Sequence, residues 1–190
     1  MKSAYIQYLI FLMMIILCGA LIKSSYYIQL LTFIGINTLL ALGLNMLMGY
    51  AGQISLGHGA FYGIGAYTTA ILCVSYHISP WIALPSAILL ATLVAFFVGI
   101  PTLKLSGYYL GMGTLGFGMI VAIVFREWAA LTGGASGFVG IPSLEIRKLS
   151  FASGSNYFFL VWGAVLISII LCRRLIDSRI GRALRSIHDS

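Results

Sequence analysis

Apolar runs of about 17–22 residues recur along this chain, the length an α-helix needs to cross ~30 Å of hydrocarbon. They fall near residues 5–22, 27–48, 59–77, 81–99, 107–125 and 156–172. None shows the strict alternation of barrel strands, so helices are expected. Composition agrees: 61% of the 190 residues are hydrophobic and only 8% charged, where soluble domains run near about 25%. The expected fold is an all-α polytopic bundle of about six spans. It forms one membrane domain over 1–172, followed by a basic amphipathic segment over 173–190.

The net charge of +7 does not indicate nucleic acid, because its placement matters more than its size. Arg173, Arg174, Arg179, Arg182 and Arg185 cluster after the last span, which marks that end as cytoplasmic. An even number of spans then puts Lys2 and the 100–106 loop with Lys104 on the same side. Lys23, Arg126, Arg147 and Lys148 fall outside, partly offset by Glu127 and Glu145. Cys18, Cys73 and Cys172 lie inside expected spans with no ligand spacing, so core packing is expected of them, not a disulfide or a metal. Lys2 and the Cys18–Ala20 stretch imitate a signal peptide. Leu17 is too large for a lipobox, and a first transmembrane helix starts the same way.

The stretch "GYAGQISLGHGAFYGIGAY", Gly49–Tyr67, is unlike a plain span. Gly59-x-x-x-Gly63, like Gly107-x-x-x-Gly111 later, is a small-residue pattern that permits close helix packing. Packing does not account for Gln53, Ser55 and His58, which cost free energy in lipid unless they face protein or water. A lone histidine is often simply hydrogen-bonded in a core, so a structural role for His58 stands beside a functional one. Glycines at a helix start permit a broken or re-entrant segment near 49–58, tolerated at membrane depth only where it is buried in protein or lines a cavity. "GYAGQISLGHG" from Gly49 is echoed by "GYYLGMGTLGFG" from Gly107, and paired Gly-interrupted segments point to a transport pathway. In a chain with 22 glycines, chance similarity is the rival reading.

All four acidic residues, Glu127, Glu145, Asp177 and Asp189, lie outside the spans. Ion-coupled transporters and proton pumps usually keep a carboxylate within the membrane. If this chain moves a solute uphill, the energy is expected from another subunit. Two motifs mislead. "GMGTLG" (Gly111–Gly116) matches a dinucleotide fingerprint but sits in an apolar span with no strand before it. "GASG" (Gly134–Gly137) matches intramembrane serine proteases, with Ser136 as nucleophile. Pro142 and three charges follow it where a transmembrane helix should begin. The tail, "RRLIDSRIGRALRSIHDS", puts Ile176, Ile180, Ala183, Leu184 and Ile187 on one helical face. It reads either as a helix lying on membrane lipid or as one that a partner protein grips.

"ALGLNMLMGYAGQISLGHGAFYGIGAYTTAIL" (Ala41–Leu72) resembles the branched-chain amino-acid ABC transporter permeases, the longer of the two permease types. "GYYLGMGTLGFGMIVAIVFREWAALTGGASGFVGIP" (Gly107–Pro142) resembles the same family's second region. "DSRIGRALRSIHDS" (Asp177–Ser190) resembles the start of its cytoplasmic coupling segment. The resemblance implies an importer in a bacterial inner membrane with two permeases, two cytoplasmic ATPase subunits and a periplasmic substrate-binding protein, and no cofactor or metal on this chain. It implies pathway roles for Gln53, Ser55, Gly57, His58 and Gly59, with Thr114 and Gly116 from the second region. Arg179, Gly181, Arg182 and Arg185 would couple to the ATPase. Urea and short-chain amide permeases look similar. Family members continue past Ser190, so the chain is expected to be an N-terminal half, active or not.

Overall fold

The structure is a computed structural model and describes residues 2–22, 24–102, 104–105, 107–146, 149–150 and 154–188. Lys23, Arg147, Lys148 and Asp189 lie outside the described residues, and so do the side chains of Lys2 and Arg185. The elements are α1 (Lys2–Leu21), α2 (Ser25–Asn45), a π-helical turn (Met46–Tyr50), α3 (His58–Val74), α4 (Pro80–Thr102), α5 (Gly107–Glu127) and α6 (Ala129–Thr132). A 3₁₀ turn (Gly134–Ser136), two-residue strands β1 (Glu145–Ile146) and β2 (Leu149–Ser150), α7 (Ser155–Asp177) and α8 (Arg179–His188) complete the chain.

Each expected span has its helix. Among the described residues, four stretches are long and apolar enough to cross a membrane: Ser25–Tyr50, Pro80–Thr102, Gly107–Glu127 and Ser155–Asp177. The apolar part of α1, Ile6–Leu21, is shorter, and α3 has 17 residues, so the figure of about six spans holds only approximately. Large apolar side chains stay exposed along α4 and α5, among them Ile88, Leu89, Phe96, Phe97, Met119 and Ile120. Water would not tolerate such faces; lipid does. The β1–β2 ladder is antiparallel, with Glu145 opposite Ser150 and Ile146 opposite Leu149.

The chain forms two compact units, residues 1–46 with 145–190, and residues 47–144. In the first, α1 and α2 pack on α7 around buried Ile15, Ile28, Phe158, Val161 and Val165. Missing side chains make seats for large ones: a Cβ on Gly35 would stand 2.8 Å from Val161 Cγ1, and one on Gly19 would overlap the Phe159 ring. The Thr32 hydroxyl is buried yet satisfied, donating to the Ile28 carbonyl at 2.7 Å within its own helix. The Arg173 guanidinium lies over the Tyr8 ring, 5.8 Å from its centroid. Arg173 and Arg174 belong to the end of α7, not to the basic tail helix, because α7 runs on to Asp177 before the chain turns at Ser178.

In the second unit α3 and α4 form a hairpin over the small buried residues Ala70, Cys73, Ala83 and Ala87. His77 takes φ 53° in the turn between them. Tyr67 of α3 stacks on Phe125 of α5 with ring centroids 4.2 Å apart. Beyond α5 the segment is ordered around Thr132, whose buried hydroxyl lies 2.6 Å from the Phe125 carbonyl and accepts the Gly134 N–H at 3.2 Å. Gly133 and Gly134, at φ 75° and 61°, then reverse the chain, and Phe138 returns edge-on to Tyr67.

Candidate functional site

Where α2 ends, its last turn widens into the π-turn and helical bonding stops. Residues 51–57 are non-helical, with Gly52 at φ 65°. Unwound backbone needs partners when no water is at hand. The Gln53 N–H finds the Leu47 carbonyl at 3.0 Å. The Leu56 N–H donates to the Thr114 hydroxyl on α5 at 3.0 Å, and that hydroxyl donates in turn to the Gly111 carbonyl at 3.0 Å. Gly57 then runs directly against α5. A Cβ on Gly57 would overlap the Thr114 carbonyl oxygen, and one on Gly118 would stand 3.3 Å from Gly57 Cα.

The two echoing glycine segments therefore lie against each other. Their backbones meet where Gly57 lies against Thr114 and Gly118, not at either Gly-x-x-x-Gly pair. A Cβ on Gly63 would meet the Phe125 ring at 3.0 Å, and one on Gly111 the Ile54 side chain at 3.2 Å. Gly59 and Gly107 have nothing within 4 Å. These pairs seat side chains or face open space, and the close backbone approach is made by Gly57, just before α3 begins.

A cavity of about 210 Å³ opens beside the break. Gln53, Ser55 and Gly57 contribute to its wall, with Leu110, Thr114 and Phe117 from α5, Phe61 from α3, and Ala95, Val98, Gly99 and Thr102 from α4. Most of this lining is apolar. Of the polar groups, Thr102 donates to the carbonyl of Val98 at 2.8 Å and Thr114 is engaged as described. The side chains of Gln53 and Ser55 make no hydrogen bond among the described residues. They are the groups left to meet a guest: an amide that donates and accepts, and a hydroxyl that does both.

The structure thus brings Gln53, Ser55, Gly57 and Thr114 together, and leaves His58, Gly59 and Gly116 out of the cavity wall. His58 opens α3 with its ring edge-on to Phe61, and its Nδ1 is buried without a hydrogen-bond partner among the described residues. At Gly59 and Gly116 a Cβ would meet nothing within 4 Å. The α4 contribution was not anticipated from the sequence. The signal available in the sequence was weak: Ala95, Val98, Gly99 and Thr102 share a helical face that holds the helix's one glycine, but small and polar residues recur along the whole run.

The four tail candidates lie on α8, with Arg179 and Arg182 exposed; of Arg185 only the helical position is described. Ser178 makes the elbow between α7 and α8. Its hydroxyl donates to the Leu175 carbonyl at 2.6 Å and accepts the Gly181 N–H at 3.4 Å. A Cβ on Gly181 would overlap the Ile176 carbonyl, so α8 folds this tightly under α7 only with glycine there. Ser136 sits in a three-residue 3₁₀ turn and does not open a membrane-crossing helix. The Gly111–Gly116 motif lies inside α5.

A family model described as branched-chain amino acid transport system, permease component, matches residues 26–190. The chain is 32% identical, over an alignment of 205 residues, to the high-affinity branched-chain amino acid transport system permease protein LivM of Escherichia coli. It is 33% identical to the protein of the same name from Salmonella typhimurium. Each alignment covers 96% of this chain and 48% of the relative, so the chain spans about half the length of the curated relatives it matches. No solved structure matches. With the family model covering the chain from the start of α2 to the end of α8, the protein belongs to the permease-component family of branched-chain amino acid transport systems.

Proposed function

We propose that this chain is a permease subunit of an ABC importer in a bacterial inner membrane, forming part of the pathway for branched-chain amino acids. It would catalyse no reaction itself. What carries the reading is the mostly apolar cavity at the helix break, where the hydroxyls of Thr102 and Thr114 are engaged and the side chains of Gln53 and Ser55 are uncommitted among the described residues. An aliphatic side chain suits the apolar wall. Gln53 and Ser55, which can both donate and accept, suit the amino acid's charged ends. Urea, with no apolar part, would gain nothing from that lining.

Energy would come from two cytoplasmic ATPase subunits, since the acids of the described spans stand only at helix ends, Glu127 closing α5 and Asp177 closing α7. A second permease subunit and a periplasmic substrate-binding protein would complete the assembly, with both termini cytoplasmic and α8 gripped by an ATPase. The test is to tag the chain, extract it in mild detergent and identify what co-purifies, then reconstitute that assembly and measure ATP-dependent leucine uptake. ATPase and permease partners with uptake support the reading. A chain that comes out alone, or an assembly that imports no branched-chain amino acid, overturns it.

A further inference from the structure

The two glycines of the cavity wall are glycine for different reasons. At Gly57 a Cβ would collide with α5. At Gly99, on α4, a Cβ would meet nothing within 4 Å. Gly99 also has no left-handed φ that would call for glycine, and in a helix interior glycine is less favourable than alanine. Neither packing nor backbone geometry explains it. What it leaves is open space on the cavity wall: it lines the cavity together with Val98 and Thr102 of α4, and a Cβ added there has no atom to pack against. Elsewhere in the wall the Phe61 and Phe117 rings pack on each other, with centroids 5.2 Å apart.

Resting on the functional reading above, we propose that Gly99 is a specificity-determining residue, its missing side chain setting the largest aliphatic group the pathway passes. The substrate's branched side chain occupies the volume beside Gly99 and Phe117, and its polar end faces Gln53 and Ser55. Apolar pockets discriminate a single methylene by roughly 10- to 200-fold, so filling this volume shifts selectivity between close homologues instead of lowering uptake uniformly.

The test uses the assembly that the tagged chain brings down, reconstituted in proteoliposomes, with Gly99→Ala, Gly99→Val and Gly65→Val. Gly65 also has open space at its Cβ but lies outside the cavity wall. Maximal ATP-driven uptake of valine and of leucine is measured for each. The expected result is a leucine-to-valine ratio that falls stepwise from wild type to Gly99→Ala to Gly99→Val, by roughly tenfold at the last, and stays unchanged in Gly65→Val. Equal loss of both substrates in the helix-favouring Gly99→Ala, or an unchanged ratio in Gly99→Val, overturns the role of Gly99 while wild-type uptake stands. A wild-type assembly that imports neither substrate overturns the functional reading and this inference with it.

Discussion

The backbone N–H of Leu56 donates to the hydroxyl of Thr114 across 3.0 Å, joining residues 58 positions apart in the chain. Because the same hydroxyl donates to Gly111, one side chain both caps the unwound segment and anchors it to α5. Thr114→Val keeps the shape and leaves the Leu56 N–H without a partner, an expected loss of about 1–3 kcal/mol. Thr114→Ser restores most of it. Thermal unfolding of the purified protein in detergent measures both; a Tm unchanged by Thr114→Val would remove the hydroxyl from any anchoring role.

Gly57→Ala drives a methyl into the Thr114 carbonyl, and neither backbone can yield without moving α5 or the break. Overpacking of this kind costs about 1–3 kcal/mol. Gly59→Ala, two residues on with open space around it, is expected to leave Tm unchanged or slightly raised. Equal behaviour of the two variants in the same unfolding assay would contradict the close approach of Gly57 and Gly118.

Gln53→Leu and Ser55→Ala remove groups that hold nothing in place, so both variants are expected to unfold at the wild-type temperature. Their effect is expected in transport: loss of one hydrogen bond to a charged end of the substrate, about 1.5–3 kcal/mol, corresponds to roughly 10- to 150-fold lower uptake. A fall in Tm with unaltered uptake would make the two side chains structural after all.

Gly181→Ala opens the elbow under α7, since its methyl has no room beside the Ile176 carbonyl. Arg182→Glu with Arg185→Glu leaves the elbow and reverses charge on α8. Both are expected to abolish ATP-driven uptake, the first through helix position and the second through lost contact with an ATPase. Co-purification separates them from simple unfolding, because the permease partner should remain bound. Persistent uptake in the double arginine variant would show that α8 does not couple.

The helices were legible in the sequence because their cause is local: an apolar run long enough for hydrocarbon must satisfy its own backbone, and only a helix does so within one segment. The break at 51–57 was legible for the same reason, through Gly49, Gly52 and the polar Gln53 and Ser55. Two boundaries moved. The tail helix begins at Arg179 because Ser178 turns the chain, and α3 is shorter than its apolar run because residues 75–79 form the hairpin turn.

What the sequence determined by itself was therefore the medium, the helices and the place where one of them stops. Which residues share the cavity was decided only by tertiary structure. Val98, Gly99 and Thr102 reach Gln53 and Ser55 through the α3–α4 hairpin, and Thr114 and Phe117 through the contact of Gly57 with α5. Gly116, in the same motif as Thr114, turns away because two helical residues subtend about 200°, which puts them on opposite faces. Periodicity says which residues of one helix share a face. Only packing between helices says what that face meets.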